Sequence, residues 1–102
     1  ERNQAIEKLR LNILYFNQQK KILGLNPVFV RSKSAIQSMI LPDESKFLNA
    51  VNLFAKHQIK IKTVQFPEVP KHQSRIRISL NSSNTFQEID QLFQVILQIV
   101  YS

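Results

Sequence analysis

The sequence predicts an α+β fold: a two-layer sandwich in which a three-stranded, mainly antiparallel core sheet carries helices on one face, behind a long N-terminal helix. Three observations lead there. Apolar residues recur at helical spacing in three segments, other segments alternate in twos as strands do, and a strand–helix–strand order in mid-chain restricts how the strands can lie.

Taken in order, 2–23 reads as a long helix. Ile6, Leu9, Ile13, Phe16 and Leu23 keep a rhythm of about 3.5 residues, with Lys20 and Lys21 in the last turn and Gly24 just beyond. No capping residue opens it, so the chain starts already helical, as a cut inside a longer helix would. Asn26-Pro27 interrupts the pattern, and Pro27–Val30 is expected to be a short extended piece. Ser34–Leu41 (SAIQSMIL) reads as a strand closed by Pro42-Asp43, with Asp43 placed to cap the next helix. That helix is expected to bury Phe47, Leu48, Val51, Phe54 and Ala55 and to end near His57-Gln58. From Ile59 to Phe66 (IKIKTVQF) the period falls to two, with Lys60 and Lys62 opposite Ile59 and Ile61. A stiff stretch holding Pro67 and Pro70 leads to Ser74–Leu80 (SRIRISL), the cleanest alternation in the chain. Thr85 with Glu88 forms a capping box, and the helix it opens should bury Ile89, Leu92, Phe93 and Ile96.

A right-handed crossover through the middle helix sets 36–41 and 59–66 parallel with a gap between them, which 74–80 fills antiparallel to both. The sheet order is then 59–66, 74–80, 36–41, with 34–101 as the core behind the helix of 1–24. If Ile76, Ile78 and Leu80 face the helices, Arg75, Arg77 and Ser79 face away, joined by Lys60 and Lys62. From Lys56 to Arg77 six Lys and Arg stand against one acid, Glu68. The open face of the sheet is therefore basic.

At 102 residues the chain has the size of a single domain, and 43% hydrophobic with 21% charged residues is ordinary globular composition. Cysteine is absent, which excludes a disulfide scaffold and thiolate chemistry and fits a reducing, cytoplasmic setting. With one glycine, Gly-rich phosphate loops are excluded. No apolar run approaches the ~20 residues that span a bilayer, and no secretory signal pattern opens the chain. The net charge of +7 fits nucleic acid, an anionic surface or an acidic ligand, and equally a piece of a larger protein whose complementary charge lies elsewhere.

Arg75 and Arg77 are the strongest candidates for chemistry, because a guanidinium offers two parallel donors to a carboxylate and a strand fixes its direction. The bland reading is a solvated face, and it weighs more heavily on Lys60 and Lys62, since lysine is the usual charge of an edge strand. His57 and His72 have no partner at metal-ligand spacing, and no serine is marked by a nearby base. Glu68, between two prolines, is either a positioned carboxylate or an exposed loop acid. The aromatic residues fall mainly on apolar stripes and strand ends and read as core.

Ser34-Ala35-Ile36-Gln37, Pro67-Glu68-Val69-Pro70 and Ser74-Arg75-Ile76-Arg77-Ile78, followed by EIDQLFQVI at 88–96, together resemble the C-terminal domain of the 8-amino-7-oxononanoate synthase family. These are α-oxoamine synthases of the fold-type-I pyridoxal-phosphate class. The resemblance implies a small C-terminal domain over 1–102, with 1–24 as the helix linking it to a large domain. It implies a homodimeric parent that condenses an amino acid with an acyl-CoA, alanine with pimeloyl-CoA in biotin synthesis. Pyridoxal phosphate would be held by the large domain, whose lysine, aspartate and histidine motifs are missing here, so this piece alone should be inactive and cofactor-free. By position, the second arginine of the R-x-R strand, Arg77, would bind the amino-acid carboxylate. Glu68 stands where the family has a substrate-site threonine, and Gln58 where relatives end a helix with glycine. Arg75 would then be structural or interfacial. The rival readings are a small basic nucleic-acid-binding module, against which stands the lack of aromatics on the open face, and a non-catalytic dimerisation module. The resemblance implies neither a nucleic-acid nor a membrane partner.

Overall fold

Helix starts and stops, more than intrinsic propensity, set the element order. The computed structural model describes residues 2–102, the Arg2 side chain excepted. The chain runs α1 (Arg2–Ile22), a 3₁₀ turn (Asn26–Val28), β1 (Ile36–Ile40), α2 (Glu44–Lys56), β2 (Lys62–Val64), β3 (Arg75–Ser79) and α3 (Phe86–Val100). The expectation that the sequence opens inside a helix falls partly on Glu1, outside the described residues.

Asp43 caps α2 through its Oδ1, which accepts from the Ser45 and Lys46 N–H groups, and these bonds hold its carboxyl below the ordinary aspartate pKa. Thr85 and Glu88 form the expected reciprocal box at α3. At its far end α1 closes on Gly24, at φ 69, with Leu25 N–H donating to Lys20 O and Gly24 N–H to Lys21 O. The end of α2 repeats that pattern without a glycine. Gln58 takes φ 58, its N–H donates to Ala55 O, and Ile59 N–H donates to Phe54 O.

That closure corrects the expected strand at 59–66. Residues 58 and 59 are spent on the end of α2, and ladder pairing covers only Lys62–Val64, so Lys60 lies outside the sheet. Two smaller corrections follow. The expected extended piece at 27–30 is a 3₁₀ turn followed by a bridge between Phe29 and Met39. On α2 the buried residues are Phe47, Ala50 and Phe54, with Val51 half-buried, whereas Leu48 and Ala55 sit past the edge of the covered arc, exposed.

The sheet order is β1-β3-β2, with both neighbours antiparallel to β3, as the crossover argument requires. Register places Met39 beside Ile76 and Gln37 beside Ile78 on one face. Met39, Ile76 and Ile78 join a single core with Phe16 and Leu25 at α1, Phe47 and Phe54 of α2, and Ile89, Phe93, Ile96 and Ile99 of α3. All helices thus bury against the same side of the sheet. Within this layer Phe16 packs on Phe93 with ring centres 4.7 Å apart.

α1 is fastened by polar groups as well as by Phe16. Fully buried Asn12 donates from Nδ2 to Asn81 O and Asn84 O, each at 2.9 Å, and its Oδ1 accepts from Lys8 Nζ. One turn on, the Tyr15 hydroxyl donates to Asp90 at 2.6 Å, which raises the phenol's pKa, and its ring stacks on Phe86. No helix among the described residues is long and apolar enough to cross a membrane.

Candidate functional site on the open face of the sheet

Alternation along β3 decides which side chains are available. Ile76 and Ile78 are buried under the helices, so Arg75, Arg77 and Ser79 project from the opposite face. The ladder supplies their neighbours. Arg77 stands between Ser38 of β1 and Lys62 of β2, and Arg75 between Ile40 and Val64, while Ser79 pairs with Ile36. Two strand residues along, the arginine Cα atoms are about 6.8 Å apart, close enough for both guanidinium groups to reach one multivalent ligand.

The face is uneven in depth. Val64 is buried although it lies outside the helix-side core, and Arg75 beside it is half-buried, with its Nε buried and without a hydrogen-bond partner. Next to them, toward the middle of the face, Lys62 and Arg77 are exposed. The sheltered end is the one adjoining the 65–74 connection. Lys62, Arg75 and Arg77 supply three cations, and none of the eight face residues is an acid or an aromatic. A convergent cationic surface of this kind holds anions, and a guanidinium at its centre suits a carboxylate in bidentate fashion.

Glu68 lies in the turn 66–68 that follows the cis Phe66-Pro67 bond, exposed, its N–H donating to Gln65 O. No ion pair joins it to Arg77. Among the described residues the ion pair present is Glu7–Arg10 on α1, at 2.6 Å, and no hydrogen bond joins Glu68 to any side chain. In the same loop Lys71 Nζ sits over the exposed Phe66 ring, 5.3 Å from its centre. Lys60, expected on the open face, borders a groove of ≈ 650 Å³ between the end of α2 and α3, floored by Ile78 and Leu92. His57 and His72 lie in turns, and no cluster of His, Cys, Asp or Glu able to hold a metal occurs among the described residues.

Three buried polar residues escaped the sequence reading: Asn12, Lys20 and Gln37. A signal existed for Lys20. Leu9, Ile13 and Phe16 set a rhythm whose next position is 20, so an apolar residue belongs there and a lysine is out of place.

The architecture defines the class first. A serine palmitoyltransferase from S. paucimobilis superposes with a TM-score of 0.79 at 16% identity, covering 97% of this chain and 25% of that one. The 8-amino-7-oxononanoate synthase of Francisella tularensis superposes with a TM-score of 0.75 at 26% identity, over 93% of this chain and 27% of that one. The fold is that of part of an α-oxoamine synthase. Sequence then narrows the class. The 8-amino-7-oxononanoate synthases of Photorhabdus laumondii and Erwinia tasmaniensis are each 31% identical over 90 residues, 88% of this chain. In sequence and fold the chain is homologous to the C-terminal part of the 8-amino-7-oxononanoate synthases. It spans 23% of the length of those two relatives. No protein-family profile matches it.

Proposed function

We propose that this chain is the small C-terminal domain of a pyridoxal-phosphate-dependent α-oxoamine synthase, a homodimeric cytoplasmic enzyme that condenses an amino acid with an acyl-CoA. Within it, α1 is the helix leading from the large domain and Arg77 binds the amino-acid carboxylate. The observation that carries the reading is the setting of Arg77: exposed at the centre of the helix-free face, in register with Lys62 and Ser38, with no acid of its own.

The residues present do not fit the cofactor itself. Both aspartates are engaged, Asp43 in capping α2 and Asp90 in accepting from Tyr15. The one buried lysine, Lys20, donates to Gln37 and has neither an aspartate nor a histidine beside it among its hydrogen-bond partners. Holding pyridoxal phosphate falls to the rest of the parent. This chain's share is to bind and orient. Arg77 fixes the carboxylate by two parallel bonds, each charge-assisted bond contributing about 1.5–3 kcal/mol. Arg75, at the drier end of the same face, adds positive potential behind it. Glu68, on its separate turn, sets a negative charge at the rim of the site and disfavours substrates with a second carboxylate on that side.

The experiment is Arg77→Ala and Arg77→Lys in the full-length protein, with amino-acid affinity read from the change in cofactor absorbance on titration. The alanine variant should lose roughly tenfold or more in affinity while retaining cofactor, and lysine should restore only part of it, being a point charge without the fork. Wild-type affinity in both variants would leave Arg75 as the carboxylate ligand.

A further inference from the structure

On the far side of the chain from the arginine pair in sequence, α1 and the 26–33 segment enclose a second groove, of ≈ 500 Å³. Lys20, Lys21, Arg31 and Lys33 line it together with Asn17 and Ser32, giving four cations and no acid. Three of these cations are ordinary exposed side chains. Lys20 is not. It is 5% exposed, and its Nζ donates to Gln37 Oε1 at 3.0 Å above the Phe29 ring, 5.2 Å from its centre. No carboxylate lies within ion-pairing distance of it among the described residues.

A buried ammonium without a counter-charge is unfavourable. The α1 C-terminus, the negative end of the helix dipole, offsets part of this, as do the ring faces of Phe16 and Phe29. Neither is a counter-ion, and burial alone pulls the Lys20 pKa below the ordinary lysine value. The neighbours hold the group in place firmly. Fully buried Gln37 donates from Nε2 to Ser34 O, and Asn17 donates from Nδ2 to Ser32 O, so two side chains pin the 31–34 loop around the lysine. Asn17 Oδ1 is itself buried and unpartnered. The groove is thus short of negative charge at Lys20 and short of a donor at Asn17.

We propose that this groove binds the phosphate group of a phosphorylated small molecule, with Lys20 as the buried counter-charge, Arg31 and Lys33 closing over the outer oxygens, and Asn17 Oδ1 accepting from a hydroxyl of the ligand. A phosphate monoester that also carries a free hydroxyl satisfies both shortages at once, the phosphate supplying the charge and the hydroxyl the donor, whereas a simple carboxylate supplies charge and no donor. The volume lies within the range of small-molecule pockets and exceeds what a bare ion fills. The inference is independent of the open-face reading, since no residue is shared.

The test is titration of the 102-residue chain with ribose 5-phosphate, inorganic phosphate and malonate at matched ionic strength, followed by amide NMR, whose dispersion also reports folding. Saturable shifts at Asn17, Lys20, Ser32 and Gln37 are expected with ribose 5-phosphate, weaker ones with inorganic phosphate, and none that saturate with malonate. Lys20→Met keeps the buried stem and should weaken the monoester about tenfold or more while the chain stays folded. Arg31→Ala, at an exposed position with no folding role, should weaken it severalfold, and Arg77→Ala should leave it unchanged. Equal binding of malonate, shifts centred on Arg75 and Arg77, or full affinity in both Lys20→Met and Arg31→Ala would overturn the proposal.

Discussion

The two faces of one sheet divide the labour of this chain. On the covered face Met39 and Ile76 are fully buried and Ile78 nearly so, and the polar residues near them, Gln37 and Asn12, are hydrogen-bonded throughout. On the open face the alternate residues of the same strands carry Lys62, Arg75 and Arg77, with Arg75 Nε left without a partner. Neighbouring positions on β3, 3.3–3.4 Å apart along the strand by ordinary geometry (about one residue's rise), thus answer to different demands. One set is chosen for volume and closure, the other for charge that stays available. Stability and ligand binding should therefore respond to different substitutions.

The sharpest way to break that division lies at Ile76. Truncation to alanine opens a cavity under α2 and α3 and should destabilise the chain by about 2–5 kcal/mol in denaturant unfolding. A loss below 1 kcal/mol would show that the covered face is not the core. Asn12→Ala comes next, at about 1–3 kcal/mol, because it removes the Nδ2 donor 2.9 Å from the Asn81 and Asn84 carbonyls and leaves each with one longer bond, from Asn84 N–H at 3.3 Å and from Lys8 Nζ at 3.1 Å. At Gln58 the sign reverses. Glycine relieves the left-handed backbone at φ 58 and should stabilise by about 1 kcal/mol, read as a higher unfolding midpoint with an unchanged slope. The smallest effect on stability belongs to Arg77→Ala, within about 0.5 kcal/mol, although the same change should have the largest effect on substrate affinity in the parent. An Arg77 variant that unfolds the chain would merge the two faces into one structural role.

The parts of this arrangement that were legible in the sequence are those set by near neighbours. Alternation through Arg75–Ser79 fixes which face each arginine takes, and Asp43 and Thr85 announce their helices within four residues. What escaped depends on competition between elements. Ile59 and Lys60 alternate as a strand should, but the end of α2 captures Ile59 N–H, and no period-two pattern records that. Leu48 follows Phe47 on the helical wheel and falls just outside the covered arc, a difference that spacing alone does not resolve. That Glu68 makes no ion pair with Arg77 is illegible for a different reason: the path of the 65–74 connection follows turn hydrogen bonds such as Glu68 N–H to Gln65 O and Gln73 N–H to Pro70 O, which have no periodic signature. Lys20 breaks the α1 rhythm but equally suits a cation of the last turn, and the sequence does not say how deeply that turn is buried.

The short pairing of β2 has a consequence for how the protein behaves in a crowded solution. A sheet with a bare face needs its edges guarded, since an unpaired strand edge is a template for strands of other molecules. Here β1 is closed along its outer side by the Phe29–Met39 bridge and the Val30 N–H to Ser38 O bond. On the other side β2 offers only Lys62–Val64, bracketed by Lys60 before it and Pro67 after it. Three residues with a lysine among them give an incoming strand too few bonds to hold and a charge to desolvate. The chain can therefore leave one surface of its sheet uncovered for a ligand without inviting a neighbour's strands to extend it.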